Sequence, residues 1–324
     1  MTFGITPPAD PAPVRTVARS EPENGMSGDF ADPFVLRSAG AYYAFATGAQ
    51  RLHLQVASSP DLTTWTLLGE ALPELPSWAS KGPGLTWAPS VLARRDRYVL
   101  YYTTNDSRTR FQCISRAIAS SPEGPYFDDS SQAMVCQVRG SAPFCGSIDP
   151  SPFLDSDGKL YLLWKSDENS ARCRTSPRIW AQALTDDGLG LVGPAEMLLA
   201  VDQHWEDTIV EAPSMMRYGG RYLLFYSGND FDSANYAIGY ATCPSLFGLC
   251  TKATLGTPYL MTGGAVSGPG GGELFQDAEG AFWMAYHAWT SPHLTTYGAG
   301  GARSLRLARM AFGPQGEPRP LITP

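Results

Sequence analysis

The sequence predicts an all-β fold, a five-bladed β-propeller, on three observations. One short pattern recurs five times along the 324 residues. Each copy reads as strand, tight turn, strand, and no stretch of ten or more residues carries a 3.6-residue apolar period. The repeats also follow one another with no linker, which favours one closed domain over two. The copies are ADPFVLRSAGAYYAFAT from Ala31, WAPSVLARRDRYVLYYT from Trp87, IDPSPFLDSDGKLYLLW from Ile148, EAPSMMRYGGRYLLFYS from Glu211 and the degenerate GELFQDAEGAFWMAYH from Gly272. Shared prolines at Pro33, Pro89, Pro150 and Pro213 give a period of roughly 60 residues, somewhat longer than common propeller repeats. One radially placed four-stranded sheet per unit buries both sheet faces without a helix layer.

Taken in order, the first unit offers strands over Pro33–Arg37, Tyr42–Thr47 and His53–Ser58, followed by the polar-aromatic TTWTLLG. The second offers Ser90–Ala93, Tyr98–Thr103 and Cys113–Ser120. The third gives Pro152–Leu154, Leu160–Lys165 and Ile179–Ala183, its hairpin marked by Asp157-Gly158. Ser214–Tyr218, Tyr222–Ser227 and Tyr236–Thr242 make the fourth, and Glu273–Gln276, Phe282–His287 and Leu305–Phe312 the fifth. Each unit leaves room for a fourth strand. Residues 1–27 are Pro-rich and polar and are expected to be a flexible lead-in; residues 28–324 are expected to form the single propeller domain.

Composition narrows the function. Charged residues make up only 17% of the chain and aromatics 11%, enough apolar surface for a large core. The net charge of −7, with no basic stripe, argues against nucleic acid or an anionic membrane surface as partner. No apolar run is long enough for a membrane helix. The N-terminus lacks the apolar core of a signal peptide, and the expectation of secretion rests in part on the cysteines. Six cysteines show no Cys-x-x-Cys or Cys/His ligand spacing, which makes a zinc site a poor fit. Cys243 and Cys250 bracket a short loop and are the easiest pair to close in an oxidising compartment. Asn105-Asp106-Ser107 fits a glycosylation sequon.

Three units carry an acid at, or next to, the same motif position: Asp32, Asp149 and Glu211. A single Asp before Pro at a strand start usually caps a turn and lets Pro sit ahead of the first ladder hydrogen bond. Three acids at matched positions of a propeller would instead converge around the central axis. Like charges gathered there repel, so at least one should keep its proton near neutrality. Hydrolysis of a glycosidic bond needs such a split: an acid for the leaving oxygen and a base for water.

The set ADPF, WAPS, IDPSPF, EAPSM and GPGGGELF…YHAW resembles glycoside hydrolase family 43, five-bladed propellers acting on arabinose- and xylose-containing polysaccharides. The resemblance covers Gly28 to about Phe312. It implies that Asp32 is the general base, Glu211 the general acid, and Asp149 the third acid that orients Glu211 and raises its pKa. It also implies inversion at the anomeric carbon, with base and acid about 6.5–9.5 Å apart to admit a water. Retaining fructosidase families share the propeller and three acids, but their Asn-Asp-Pro-Asn and Glu-Cys contexts differ from Ala31-Asp32-Pro33-Phe34 and Glu211-Ala212-Pro213.

By the same resemblance Arg303, in GARSLRLARM, reaches the sugar from the last blade; the alternative is a surface arginine. His287 is either a core histidine or sits by the axis beside a cation, calcium being the candidate; no cofactor is required. Phe34, Trp87 and Trp205 are candidates for stacking on a sugar face or, alternatively, plain core. The glycine run in SGPGGGELF lacks a following Lys-Ser/Thr and is expected to be a tight turn at the top of the fifth blade. Neither Gly-x-Ser-x-Gly nor His-Glu-x-x-His occurs. Details of IDPSPFLDSDGKLYLLWKSDEN and YLLFYSGNDFDSANYAIGYATC look most like exo-acting α-L-arabinofuranosidases that act on arabinan or arabinoxylan. A β-xylosidase on the same scaffold and a sugar-binding propeller without catalysis are the alternatives. The expected partner is plant cell-wall polysaccharide, and a monomer is expected.

Overall fold

A computed structural model of the protein describes residues 25–137, 145–290 and 295–319. The chain enters at β1, Gly25–Met26. Blade 1 then follows as β2 (Phe34–Ser38), β3 (Ala41–Thr47), β4 (Leu54–Ser59) and β5 (Thr66–Glu70). Blade 2 is β6 (Thr86–Ala93), β7 (Tyr98–Asn105) and β8 (Gln112–Ala119). Blade 3 is β9 (Ser147–Leu154), β10 (Leu160–Ser166), β11 (Arg178–Leu184) and β12 (Leu191–Ala200). Blade 4 is β13 (Val210–Tyr218), β14 (Arg221–Gly228), β15 (Ala237–Cys243) and β16 (Thr251–Lys252). Blade 5 is β17 (Gly270–Gln276), β18 (Phe282–Trp289) and β19 (Arg303–Arg309). Every blade is an antiparallel meander, and the first strands β2, β6, β9, β13 and β17 touch one another around the axis. This is the five-bladed propeller.

The ring closes between its two ends. β1 pairs with β19, Gly25 opposite Arg306 and Met26 opposite Leu305, as the outer strand of blade 5. Gly25 and Met26, expected in the lead-in, thus belong to blade 5; the rest of the expected lead-in, residues 1–24, lies outside the described residues. Five apolar cores fill the gaps between neighbouring blades. Phe45, Val56, Val91 and Tyr102 join blades 1 and 2, for example, and Val35, Ala44, Ala285 and Leu307 join blades 1 and 5. Among the described residues blade 2 has three strands and no fourth. Its outer edge makes isolated bridges at Ile118–Phe127 and Ile114–Val135, because prolines at 122 and 125 interrupt the ladder.

The inner strands run longer than the sequence suggests. Expected strands begin after the shared proline, yet β6, β9 and β13 start before it, at Thr86, Ser147 and Val210. A bulge at the motif of blades 2–5 makes this work, and in blade 1 the Thr47 N–H reaches past Asp32 to the Ala31 carbonyl (3.0 Å), the same offset ahead of β2. Register slips between Trp87 and Ser90, between Glu211 and Ser214, between Gly270 and Glu273, and opposite Leu163–Lys165 in blade 3. The bulged residue has left-handed backbone in all five blades: Asp32 (φ 52°), Ala88 (φ 45°), Asp149 (φ 57°), Ala212 (φ 49°) and Gly271 (φ 60°). A proline is tolerated beside a bulge because the ladder is already broken there. Four of these residues are not glycine, and each left-handed backbone costs on the order of 1–3 kcal/mol.

The cysteines form three disulfides: Cys113–Cys136, Cys145–Cys173 and the expected Cys243–Cys250. The sequon asparagine, Asn105, is buried at the end of β7. Its amide accepts from Ser80 Oγ (2.8 Å) and donates to the Arg110 carbonyl (3.1 Å), so it offers no glycosylation site.

Candidate active site

The five bulges open into one axial cavity of ≈ 590 Å³, lined by described residues from every blade, including Asp32, Asp149 and Glu211. Its size falls within the range of about 300–1,000 Å³ common for small-ligand sites. A bulge bends its strand and re-aims the side chain there. In blades 1 and 3 the bulged residue itself carries the acid. In blade 4 the acid, Glu211, stands one residue before the bulged Ala212.

Each bulged amide is capped from the blade before it. The Ala88 N–H donates to Thr47 Oγ1 (2.9 Å), the Asp149 N–H to Thr103 Oγ1 (3.2 Å) and the Gly271 N–H to Ser227 Oγ (3.0 Å). The Asp32 N–H closes the ring by donating to His287 Nδ1 at 3.0 Å. These acceptors occupy one register in the second strand: Thr103 faces Trp87, Ser227 faces Glu211 and His287 faces Gly270. Blade 3 is the exception. Lys165 holds that register, opposite Ile148, and the Ala212 N–H donates instead to Asp149 Oδ2 (2.9 Å).

Asp32 meets two donors, Thr47 Oγ1 at 2.5 Å on Oδ2 and Arg303 Nη1 at 3.3 Å on Oδ1. Glu211 also meets two, Tyr236 OH at 2.8 Å on Oε1 and Lys165 Nζ at 2.8 Å on Oε2. Burial and the neighbouring negative charge of Glu211 push the Asp149 carboxyl up to about 8, against the pull of Lys165. Burial pulls the Lys165 ammonium down, but Glu211, Asp167 and Asp149 outweigh it and raise it overall. Deeper in the cavity, Glu273 accepts from Ser214 Oγ (2.7 Å), and burial pushes its carboxyl up to about 7.

Arg303 lies in the cavity wall, not on the outer surface. Its guanidinium is 4.7 Å from the centre of the Phe231 ring and 5.4 Å from that of Tyr297, and its Nε donates to Tyr297 OH (3.0 Å). Trp87 also lines the cavity, its Nε1 donating to the Gly84 carbonyl. The other two aromatic candidates do not line it. Phe34 falls where blades 2–4 carry Ser90, Ser151 and Ser214, and its ring packs with Phe45, Leu54 and Val91 in the core between blades 1 and 2. Trp205 stacks on Tyr226 at 5.6 Å and lies over Gly228 and Gly239, where a Cβ would collide with its indole. Both are core for the same reason: an apolar ring gains more between two sheets than at a wet rim.

His287 is fully buried and stacks on Tyr236 at 5.7 Å. Its Nδ1 is taken by the Asp32 amide, and its Nε2 stands 3.4 Å from Arg303 Nη1. Burial and that guanidinium hold the imidazole well below its ordinary pKa. Neither nitrogen is free for a metal and a positive charge already stands beside the ring, so these residues do not fit the cation expected at His287. Among the described residues no group of three or more His, Cys, Asp or Glu could hold a metal ion. The glycine run is a strand, not a turn. Gly270 leaves room for the Tyr236 ring, and a Cβ on Gly271 would lie 2.8 Å from His287 Nδ1.

Sequence reasoning missed Thr47, Lys165, Tyr236, Tyr297 and Glu273. Lys165 alone carried a local signal, a charge ending the apolar run LYLLW. The others are ordinary strand or loop residues until the ring brings them together.

Known proteins were compared with this chain on that footing. A probable arabinan endo-1,5-alpha-L-arabinosidase A of Neosartorya fischeri is 26% identical over 284 residues, 79% of this chain and 81% of that protein. A probable arabinan endo-1,5-alpha-L-arabinosidase B of Aspergillus fumigatus is 31% identical over 144 residues, which span 42% of this chain and only 37% of that protein. The crystal structure of a thermostable family-43 glycoside hydrolase superposes with a TM-score of 0.79 at 28% identity, covering 93% of this chain and 96% of that one. Residues 25–318 match Glycosyl hydrolases family 43, and with the propeller and its three axial acids this makes the chain a glycoside hydrolase of that family.

Proposed function

We propose that the protein is an inverting α-L-arabinofuranosidase that releases arabinose from the ends of α-1,5-arabinan or from arabinoxylan. The observation that carries this reading is the convergence of Asp32, Asp149 and Glu211, from three matched bulges, on one cavity. In the proposed reaction Asp32 takes a proton from a water that attacks the anomeric carbon. The bond to the leaving oxygen breaks, and Glu211, as general acid, gives that oxygen its proton while Asp149 orients it. Arg303 and Thr47 orient Asp32, while Tyr236 and Lys165 orient Glu211. Trp87, Phe231 and Tyr297 supply aromatic surface for sugar faces.

Action from chain ends is supported by the resemblance of IDPSPFLDSDGKLYLLWKSDEN and YLLFYSGNDFDSANYAIGYATC to exo-acting family members. The names of the two relatives favour endo action on arabinan as the second reading. Export is also proposed, from three disulfides and a polymeric substrate that cannot enter a cell. Chromatography of products from linear α-1,5-arabinan, arabinoxylan and xylo-oligosaccharides separates the readings. Arabinose as the first product supports the proposal, arabino-oligosaccharides support the endo enzyme, and xylose a β-xylosidase. Proton NMR of the first-formed sugar tests inversion, and initial retention of configuration would overturn it.

A further inference from the structure

Lys165 breaks the symmetry of the ring that caps the bulges. At its register the other four blades carry Thr47, Thr103, Ser227 and His287, all acceptors that take the next bulge amide. An ammonium has three donors and no acceptor, so Lys165 cannot do this. The Ala212 amide goes to Asp149 in its place, which ties Asp149 to the backbone next to Glu211. The ammonium itself is directed at Glu211 Oε2, 2.8 Å away, with Asp167 Oδ1 at 3.5 Å on its other side. Its side chain is 2% exposed. A threonine would have kept the pattern at lower desolvation cost, so stability alone does not account for a buried cation here.

We propose that Lys165 is a positioning residue that fixes the Glu211 carboxyl and, as a buried cation 2.8 Å from it, sets the alkaline limit of activity. The inference rests on the reading of Glu211 as general acid. The groups facing the pair are Lys165 from β10, Asp167 just after it, Tyr236 before β15, and Asp32 from blade 1 with its partner Arg303. Tyr236 is kept neutral by burial and by Glu211, so among the described residues Lys165 is the cation in direct contact with Glu211. An opposite charge within about 4–6 Å favours the ionised carboxylates by about 1–3 pH units.

The test is the pH dependence of kcat/KM on an α-1,5-linked arabinobiose for wild type, Lys165→Thr, Lys165→Arg and Asp167→Asn. Lys165→Thr restores the acceptor of the other blades and removes the charge; its alkaline limb is expected to rise by about one pH unit or more. Lys165→Arg keeps the charge and is expected to keep the limb. Asp167→Asn leaves Lys165 in place and unshared, and its limb is expected to fall. A purely structural lysine would change rate or stability without moving the limb, and an unmoved limb in Lys165→Thr would overturn the proposal. If that variant does not fold, an unmoved limb in Asp167→Asn overturns it alone. The same shifts are readable without substrate from the carbon-13 titration of the side-chain carboxyls. A wild type that cleaves no arabinofuranoside would therefore sink the proposed activity, while the carboxyl titration of Lys165→Thr still decides the role of the lysine.

Discussion

Two buried glutamates in this molecule have nearly the same partners and opposite surroundings. Glu211 accepts from Lys165 Nζ and Tyr236 OH, each at 2.8 Å. Glu206, five residues earlier, accepts from Lys252 Nζ and Tyr226 OH, each at 2.7 Å. Glu206 also takes the backbone N–H groups of Asp202 and Gln203 and is fully buried under Trp205, away from the axial cavity. Its charge is thus met by four donors, and the short His204–Glu206 turn is anchored by it. Glu211 has two donors, a second carboxyl beside it in Asp149, and an open face on the cavity. A surplus of donors holds a charge still, whereas a shortage beside a second acid leaves a proton to be moved. That contrast separates a structural trio from a functional one made of the same three residue types.

The largest expected effect sharpens it. Glu211→Ala should lower kcat on arabinobiose by about 10²–10⁴-fold while leaving an aryl arabinofuranoside with a good leaving group far less affected. Steady-state kinetics on the two substrates check this, and equal losses on both would break the assignment. Glu206→Gln should do the reverse. Removing one partner of a buried ion pair costs about 3–5 kcal/mol, to be read from urea unfolding, with the pH profile of activity unchanged.

A smaller effect concerns Asp149. Its folded-state pKa, about 8, lies above that of an ordinary aspartate, so between roughly pH 4 and 8 the folded protein binds a proton that the unfolded chain has released. Stability contributed by this group is therefore lost as pH rises through that window. Asp149→Asn should raise Tm over wild type by more at pH 8 than at pH 5, at the expense of activity. A Tm difference independent of pH would contradict the raised Asp149 carboxyl. Glu273→Gln should repeat the pattern more weakly, because the rise of Glu273 to about 7 is smaller. For natural linkages, activity of the wild type should fall above about pH 8, as Asp149 loses its proton and becomes a second negative charge beside Glu211.

The same contrast explains what could be read in the sequence. The repeat, the blade count and the three acids were legible because proline and acid mark each bulge, and a bulge is a local device with a local signature. The caps on the bulges were not legible. Thr47, Thr103 and Ser227 look like ordinary strand residues, and their partners lie in the next blade. Trp205 and Phe34 misled for the opposite reason: an aromatic near a motif can turn toward the cavity or toward the gap between blades, and both rings take the gap. Glu206 and Glu211 cannot be told apart by composition. Only the ring shows which of the two faces the axis.

The most direct test of the central claim is product analysis after incubating wild type and Asp32→Ala with linear α-1,5-arabinan. The account predicts that arabinose is the first product with wild type and that none appears with Asp32→Ala, whose fold remains intact by circular dichroism. Arabinose released by Asp32→Ala at the wild-type rate, or no sugar released by wild type, would contradict it.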